Sequence, residues 1–314
     1  MRTNDWNDIG WQSEADAWLT ARLDELGTPP TGPIERVRVR PWSVTHRAPT
    51  AAGTRWFKAN ITACRYEAAL ADALTGIAPG ATLAPLATDA ERGWMVTADA
   101  GPTLRETRTA ANRTATWIDM LQAYAALQRA TAPHVTALLA LGVPDQRVTM
   151  LPATLTALLS DPQVHATIGP AEQANFSEWC AALSADGIPP ALQHDDLHDG
   201  NVFADLRFFD WGDASIAHPF GSLLVALNVM HDAMDAADRQ RELGRLRDAY
   251  LEPWSDLADL PTLRSSVTLA CRVTRVSRAV AWQRALRDAA VPVDEQFRTA
   301  PQAWLNELTA DTTV

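Results

Sequence analysis

The chain has 314 residues, 47% of them hydrophobic, with a formal net charge of −11 and a pI near 5.1. That is enough apolar material for one large domain or two lobes with a real core, and it sets disorder aside. A surface this acidic repels nucleic acid and anionic membranes, so neither is an expected partner, while a cationic ligand is tolerated or attracted. Cys64, Cys180 and Cys271 are scattered and odd in number, which suits reduced thiols rather than a disulfide framework. The start, MRTNDWNDIGW, is polar where a signal peptide needs an apolar run, and stretches such as Ala137–Val143 and Leu223–Leu227 are too short to span a bilayer. The expectation is a cytoplasmic protein.

Taken in chain order, residues 12–27 read as a helix with Ser13 at the N-cap and Gly27 after its end. A Pro/Gly break at 28–33 follows. Ile34–Val39 alternates apolar and charged residues, as a half-buried strand does, and Trp42–Arg47 and Thr54–Ala59 continue the β pattern. Thr62–Leu74 reads as a helix with Thr62 at its N-cap, then Leu83–Ala87 and Trp94–Ala98 as strands. Beyond about Thr109 the spacing is helical over 111–131, 170–185, 219–250, 261–289 and 294–309, interrupted by a strand-loop-strand region at 190–211. The organisation expected is an N-terminal helical extension (1–33), a β-rich lobe (34–98) and a helical lobe (99–314), hinged near Ala98–Gly101.

The informative segment is ALQHDDLHDGNVFADLRFFDWGD, residues 191–213. It crowds His194, Asp195, Asp196, His198, Asp199, Asn201, Asp210 and Asp213 between short apolar runs, with Asp199-Gly200-Asn201 as turn chemistry. Phosphoryl transfer needs a carboxylate beside the attacking hydroxyl and oxygen ligands for Mg²⁺. Asp196 suits the first task, and Asn201 and Asp210 the second.

The string His194-x-Asp196-x-x-x-x-Asn201, followed by Asp210-Trp211, resembles the catalytic signature of the aminoglycoside phosphotransferase and choline kinase-like family. The resemblance is strong at 191–213, weaker at 54–67, and spans the chain from about residue 34. It implies an α+β, protein-kinase-like two-lobed fold with a small antiparallel β-sheet lobe and a large helical lobe, and ATP between them. It implies that Asp196 is the catalytic carboxylate, that His194 braces the loop, and that Asn201 and Asp210 hold the metal. Lys58, the only lysine of the chain, would meet the phosphates, positioned by Glu67. Hinge groups near Thr97–Asp99 would hold the adenine, Thr97 and Asp99 among them. ATP and Mg²⁺ are the implied cofactors, and the partner is a small-molecule hydroxyl acceptor: an amino sugar, aminoglycoside, amino alcohol or similar metabolite. The sequence departs from the family at Asp195, where a glycine is usual, and at Ser222, near where an aspartate is usual. No glycine-rich loop is visible, so Arg47–Gly53 is the candidate lid.

Two other readings compete. One is a catalytically silent nucleotide-binding relative. The other is a metal-dependent hydrolase using His194 and His198 as H-D-x-x-H, which requires residues 194–198 to be helical. The Arg-rich stretch from Arg272 to Arg287 is expected to serve internal ion pairing.

Overall fold

The structure is a computed structural model that describes residues 5–166, 168–308 and 310. Residues 1–4, 167, 309 and 311–314, which fall within the N-terminal and helical segments expected above, lie outside the described residues. The chain forms two compact units. The first takes the described part of 1–101 with 210–212 and 283–298; the second takes 102–209, 213–282 and the described part of 299–314.

The first unit opens with helix α1 (Ile9–Glu25). It starts before Ser13: the Asp8 carboxylate accepts from the Trp11 N–H and is the actual N-cap. Trp11, Ala15, Leu19 and Leu23 recur every four residues and bury one face of the helix. Gly27 follows it with φ +68, the left-handed position that ends helices. Five strands come next, β1 (Glu35–Val39), β2 (Ser43–Thr50), β3 (Gly53–Asn60), β4 (Pro85–Asp89) and β5 (Trp94–Ala98), with helix α2 (Tyr66–Ile77) between β3 and β4. They form one antiparallel sheet in the order β1-β2-β3-β5-β4. The face of α1 closes a core with Val44, Ala48, Phe57, Ala59, Trp94 and Val96, in which Trp11 meets Trp94 edge-on at 5.9 Å.

Several local expectations are corrected. β1 is an edge strand exposed along its whole length, not half-buried, because it lies outside the patch covered by α1. Thr62 opens a short 3-10 turn (Thr62–Cys64), and α2 follows from Tyr66 without a side-chain cap. The candidate lid, Arg47–Gly53, keeps its place as the turn end of the regular β2–β3 hairpin, with Thr50 paired to Gly53.

The second unit is helical. It holds α3 (Leu104–Thr107), α4 (Arg113–Thr131), α5 (Val135–Ala140), α6 (Leu151–Leu159), α7 (Pro170–Ser184), the short pair β6 (Ala191–Gln193) and β7 (Ser215–Ala217), α8 (Leu223–Ala233), α9 (Ala236–Leu251) and α10 (Leu260–Arg287) up to Trp282. The run expected over 219–250 breaks into a 3-10 turn (Pro219–Ser222) and two helices that part at Met234, which is extended. α5 and α6 were not anticipated. Among the described residues no helix is long and apolar enough to cross a membrane.

The polar core of this unit fixes the segment that follows β6. Tyr124 and Gln128, fully buried on α4, converge on it: the Tyr124 hydroxyl and the Gln128 amide donate to the Leu192 carbonyl at 3.2 and 3.0 Å, and the His194 N–H donates to the Tyr124 oxygen at 2.6 Å. Ser222 joins the same network through Tyr124 (3.1 Å) and Gln128 (3.3 Å). Ser222, a neutral hydroxyl, thus has neutral partners in Tyr124 and Gln128.

Candidate active site

In the first unit, alternation along β3 sends Phe57 and Ala59 into the core and Lys58 to the other face of the sheet. The Lys58 ammonium donates to both Glu67 carboxylate oxygens at 2.7 Å and to Asp210 Oδ1 at 2.5 Å. Glu67 stands in the first turn of α2, is completely buried, and also accepts from the Asn60 amide at 2.7 Å and the Trp211 N–H at 3.0 Å. Burial works against the Lys58 charge, but the carboxylates of Asp210 and Glu67 outweigh it and hold its pKa above the ordinary ammonium value. Two carboxylates around one ammonium leave a negative excess, a setting that suits a further cation. Asp210 has φ +64, a left-handed backbone that a non-glycine residue seldom adopts.

Thr97 lies inside the sheet, paired with Trp56 and Pro85. The Asp99 N–H is already given to the Thr54 carbonyl at 3.2 Å, and its carboxylate accepts from Gly101 N–H at 3.0 Å. The Asp99 N–H is thus already spent within the unit.

In the second unit, residues 194–201 form turns and no helix. His194 is fully buried, and both of its ring nitrogens serve the backbone: Nδ1 accepts from the Asp196 N–H at 3.2 Å, which places the proton on Nε2 to donate to the Phe209 carbonyl at 3.0 Å. Both hydrogen bonds brace the loop. His198 accepts from the Gly200 N–H at 3.0 Å through Nδ1, so its Nε2–H is turned to Asp196 Oδ2 at 3.5 Å. The Asn201 amide nitrogen donates to the Asp196 carbonyl at 2.9 Å and to its Oδ2 at 3.3 Å. That fixes which end of the amide is which: the oxygen of Asn201 is the end left for a ligand. Asp199, fully buried, is clamped between Arg105 (2.8 Å) and Arg108 and ties the turn to α3.

The hydrolase geometry is not met. His194 and His198 are not on a helix, each Nδ1 is spent on a backbone N–H, and among the described residues no group of three or more His, Cys, Asp or Glu could hold a metal.

The two adjacent aspartates have opposite environments. Asp196 keeps 37% of its side chain exposed. Burial pushes its pKa up, but His198, Arg278 and His194 overcome that and hold it well below the usual carboxylate range. Asp195, standing in place of the usual glycine, points into the interior, where Gln193 and the Ser215 hydroxyl (2.8 Å) donate to it. Burial is the main influence and pushes its pKa up to about 6.

This has a stability consequence with a definite sign. A folded-state pKa above the unfolded one means that the native state binds more protons between about pH 4 and pH 6, so the contribution of Asp195 is most favourable below pH 4 and is lost as pH rises through about 6. Two pH units correspond to about 3 kcal/mol. Asp195→Asn mimics the protonated acid, so the variant is expected to gain stability over the wild type as pH rises from 4 to 7. Denaturant melts across that range check it, and a pH-independent difference contradicts it.

Sequence reasoning missed Arg278. It sits on α10, is 4% exposed, and places its guanidinium 3.8 Å from Asp196 Oδ1 and 3.5 Å from Asp213 Oδ2. The Arg-rich periodicity of 272–287 gave the only signal.

A lysine on a five-stranded antiparallel sheet paired with a glutamate of the following helix, and an aspartate–asparagine turn in a helical unit, define a kinase-like phosphotransferase. The chain belongs to the phosphotransferase enzyme family, whose model matches residues 58–264. In structure it is similar to macrolide 2′-phosphotransferase type I (15% identity, TM-score 0.60, covering 92% of this chain and 96% of that one). It is also similar to a choline/ethanolamine kinase family protein from Mesorhizobium loti (19%, 0.60, 95% of each chain). A third is APH(2")-IIia in its complex with GDP and kanamycin (13%, 0.58, 94% and 98%). At these identities the likeness is one of fold. No curated protein matches the sequence.

Proposed function

We propose that the chain transfers the γ-phosphate of ATP to a hydroxyl of a small molecule, with Mg²⁺. The observation that carries this reading is the setting of Asp196: an ionised, partly exposed carboxylate held by His198, Asn201 and Arg278. In the reaction the acceptor oxygen bonds to the γ-phosphorus, the bond from that phosphorus to the β–γ bridging oxygen breaks, and ADP leaves. Asp196 accepts the hydrogen bond of the acceptor hydroxyl and takes its proton. With so low a pKa it is a weak base, so its larger contribution is to aim the hydroxyl, and the proton moves late in a loose transition state.

Lys58, held by Glu67, is proposed to meet the nucleotide phosphates, and the backbone near Thr97–Asp99 to hold the adenine. Asn201 and Asp210 are proposed to hold Mg²⁺: the amide oxygen and the carboxylate are each hard oxygen donors, and this ion is commonly held by one or two carboxylates plus substrate phosphates rather than by an all-protein cage. Bound there, the ion would neutralise charge on the phosphate oxygens.

The acceptor class follows from charge. Asp195, Asp196 and Asp213 outnumber Arg278, and the whole chain is acidic, which supports a cationic acceptor such as an amino sugar, aminoglycoside or amino alcohol. The macrolide phosphotransferase, choline/ethanolamine kinase and kanamycin-bound neighbours share the fold but differ in acceptor, and so do not choose among these classes.

Thermal shift tests the binding half of this reading. Mg·ATP at millimolar concentration is expected to raise Tm by a few degrees, with the effect lost in EDTA, and one of kanamycin, choline or ethanolamine to raise it further. No shift with Mg·ATP contradicts the proposal.

A further inference from the structure

Arg278 lies outside the segment 58–264 that the family model matches, yet its guanidinium is beside the catalytic turn. It is nearly inaccessible, stacked 5.6 Å over Trp304, and its charge acts on three carboxylates, those of Asp213, Asp196 and Asp195.

The manner of contact is informative. Arginines that hold parts of this unit together make close hydrogen bonds: Arg129 pairs with Asp256 at 2.8 and 2.8 Å, Arg264 with Asp248 at 2.9 and 2.5 Å, and Arg105 with Asp199 at 2.8 Å. Arg278 does not. It stands 3.5 Å from Asp213 and 3.8 Å from Asp196, and both carboxylates keep 37% of their side chains exposed. A buried cation in loose contact is a poor fastener, because its desolvation is not returned by close hydrogen bonds. Its placement makes sense as a fixed charge that acts on Asp196 from the side opposite His198: the arginine faces Oδ1, while His198 and Asn201 face Oδ2.

We propose that Arg278 is a positioning residue for phosphoryl transfer, anchored by Asp213 and holding the Asp196 carboxylate turned toward the acceptor hydroxyl. This rests on the reading of Asp196 given above. Asp195 deepens the need for it: a second carboxylate in the place of a glycine adds negative charge beside the turn, and Arg278 is the cation that offsets it.

The test compares the full chain with Arg278→Gln, Arg278→Lys and Asp196→Asn. The readout is ADP release from Mg·ATP with water, kanamycin, choline and ethanolamine as acceptor probes, and each protein is also melted to confirm that it is folded. Arg278→Gln is expected to lower kcat by about 30- to 100-fold with KM for ATP within about twofold, the signature of a misaimed group rather than a lost binding site. Arg278→Lys keeps the charge but not the fork, and is expected to lower kcat by only about 3- to 10-fold. A kcat for Arg278→Gln within twofold of the wild type overturns the inference, as does a loss shared equally by kcat and KM in both variants. Should the glutamine variant not fold, wild-type kcat in Arg278→Lys overturns it alone. An active Asp196→Asn, or a wild-type chain with no turnover on any probe, overturns the underlying reading instead. An inactive Asp196→Asn beside a normal Arg278→Gln overturns this inference only.

Discussion

Asp196→Asn is expected to lower phosphoryl transfer by about 10²- to 10⁴-fold while the dissociation constant for Mg·ATP stays within about threefold of the wild type. The substitution keeps the size of the side chain and an oxygen for Arg278 to face, but it removes the negative charge proposed to orient the hydroxyl and receive its proton. It also places an N–H donor where the His198 Nε2–H or the Asn201 amide now donates, so the turn loses an acceptor at Oδ2 or must turn its amide over. Nucleotide affinity is proposed to rest on Lys58 and its partners, whose contacts described above do not include Asp196, and Asn201 keeps its hydrogen bond to the Asp196 backbone carbonyl, so Mg·ATP binding is expected to be largely spared. Loss of Mg·ATP binding in step with activity would show that Asp196 serves nucleotide binding rather than transfer.

Lys58→Ala is expected to fail in a different way. It strips the ammonium from a completely buried Glu67 and from Asp210, leaving carboxylates whose charges are no longer compensated. Removing one partner of a buried pair costs about 3–5 kcal/mol, so the variant should melt at clearly lower denaturant as well as bind Mg·ATP poorly. Lys58→Arg is not a rescue. The ammonium meets three carboxylate oxygens at 2.5–2.7 Å, which a compact tetrahedral donor can do and a planar fork cannot. The double variant Lys58→Met/Glu67→Gln removes the uncompensated buried charge at Glu67. It is expected to recover a large part of the stability and none of the nucleotide affinity. Equal stability of Lys58→Ala and the wild type would mean that Glu67 takes up a proton or finds another partner at little cost.

How far the sequence exposed this architecture depended on where each constraint acts. The string from His194 to Asn201 was legible because it needs particular residue types at fixed spacing in one short turn. Lys58 was legible because it is the chain's only lysine and sits on an alternating strand, with Glu67 following at the head of the next helix. The five-stranded sheet was legible from alternation and turn residues. By contrast, α1 starts at Ile9 because Asp8 caps it, and Ser13 is an equally good cap by type alone. β7 is three residues long, too short to show alternation. β1 alternates in sequence yet is exposed on both faces, because alternation does not say where a covering helix ends.

Arg278 was hidden for a more general reason. Nothing local distinguishes it from the other arginines of α10, and its partners, Asp196 and Asp213, are brought to it only by the packing of the second unit. The same holds for Asp195. Its side chain could have faced solvent, and only the structure shows Gln193 and Ser215 receiving it inside.

The most direct measurement is ³¹P NMR of the full chain with Mg·ATP and, in turn, kanamycin, choline and ethanolamine. The proposed chemistry predicts a new phosphomonoester resonance with one of these acceptors, growing in step with ADP, absent without Mg²⁺ and absent with Asp196→Asn. ADP accompanied only by inorganic phosphate, or a phosphomonoester formed equally well by Asp196→Asn, would contradict it.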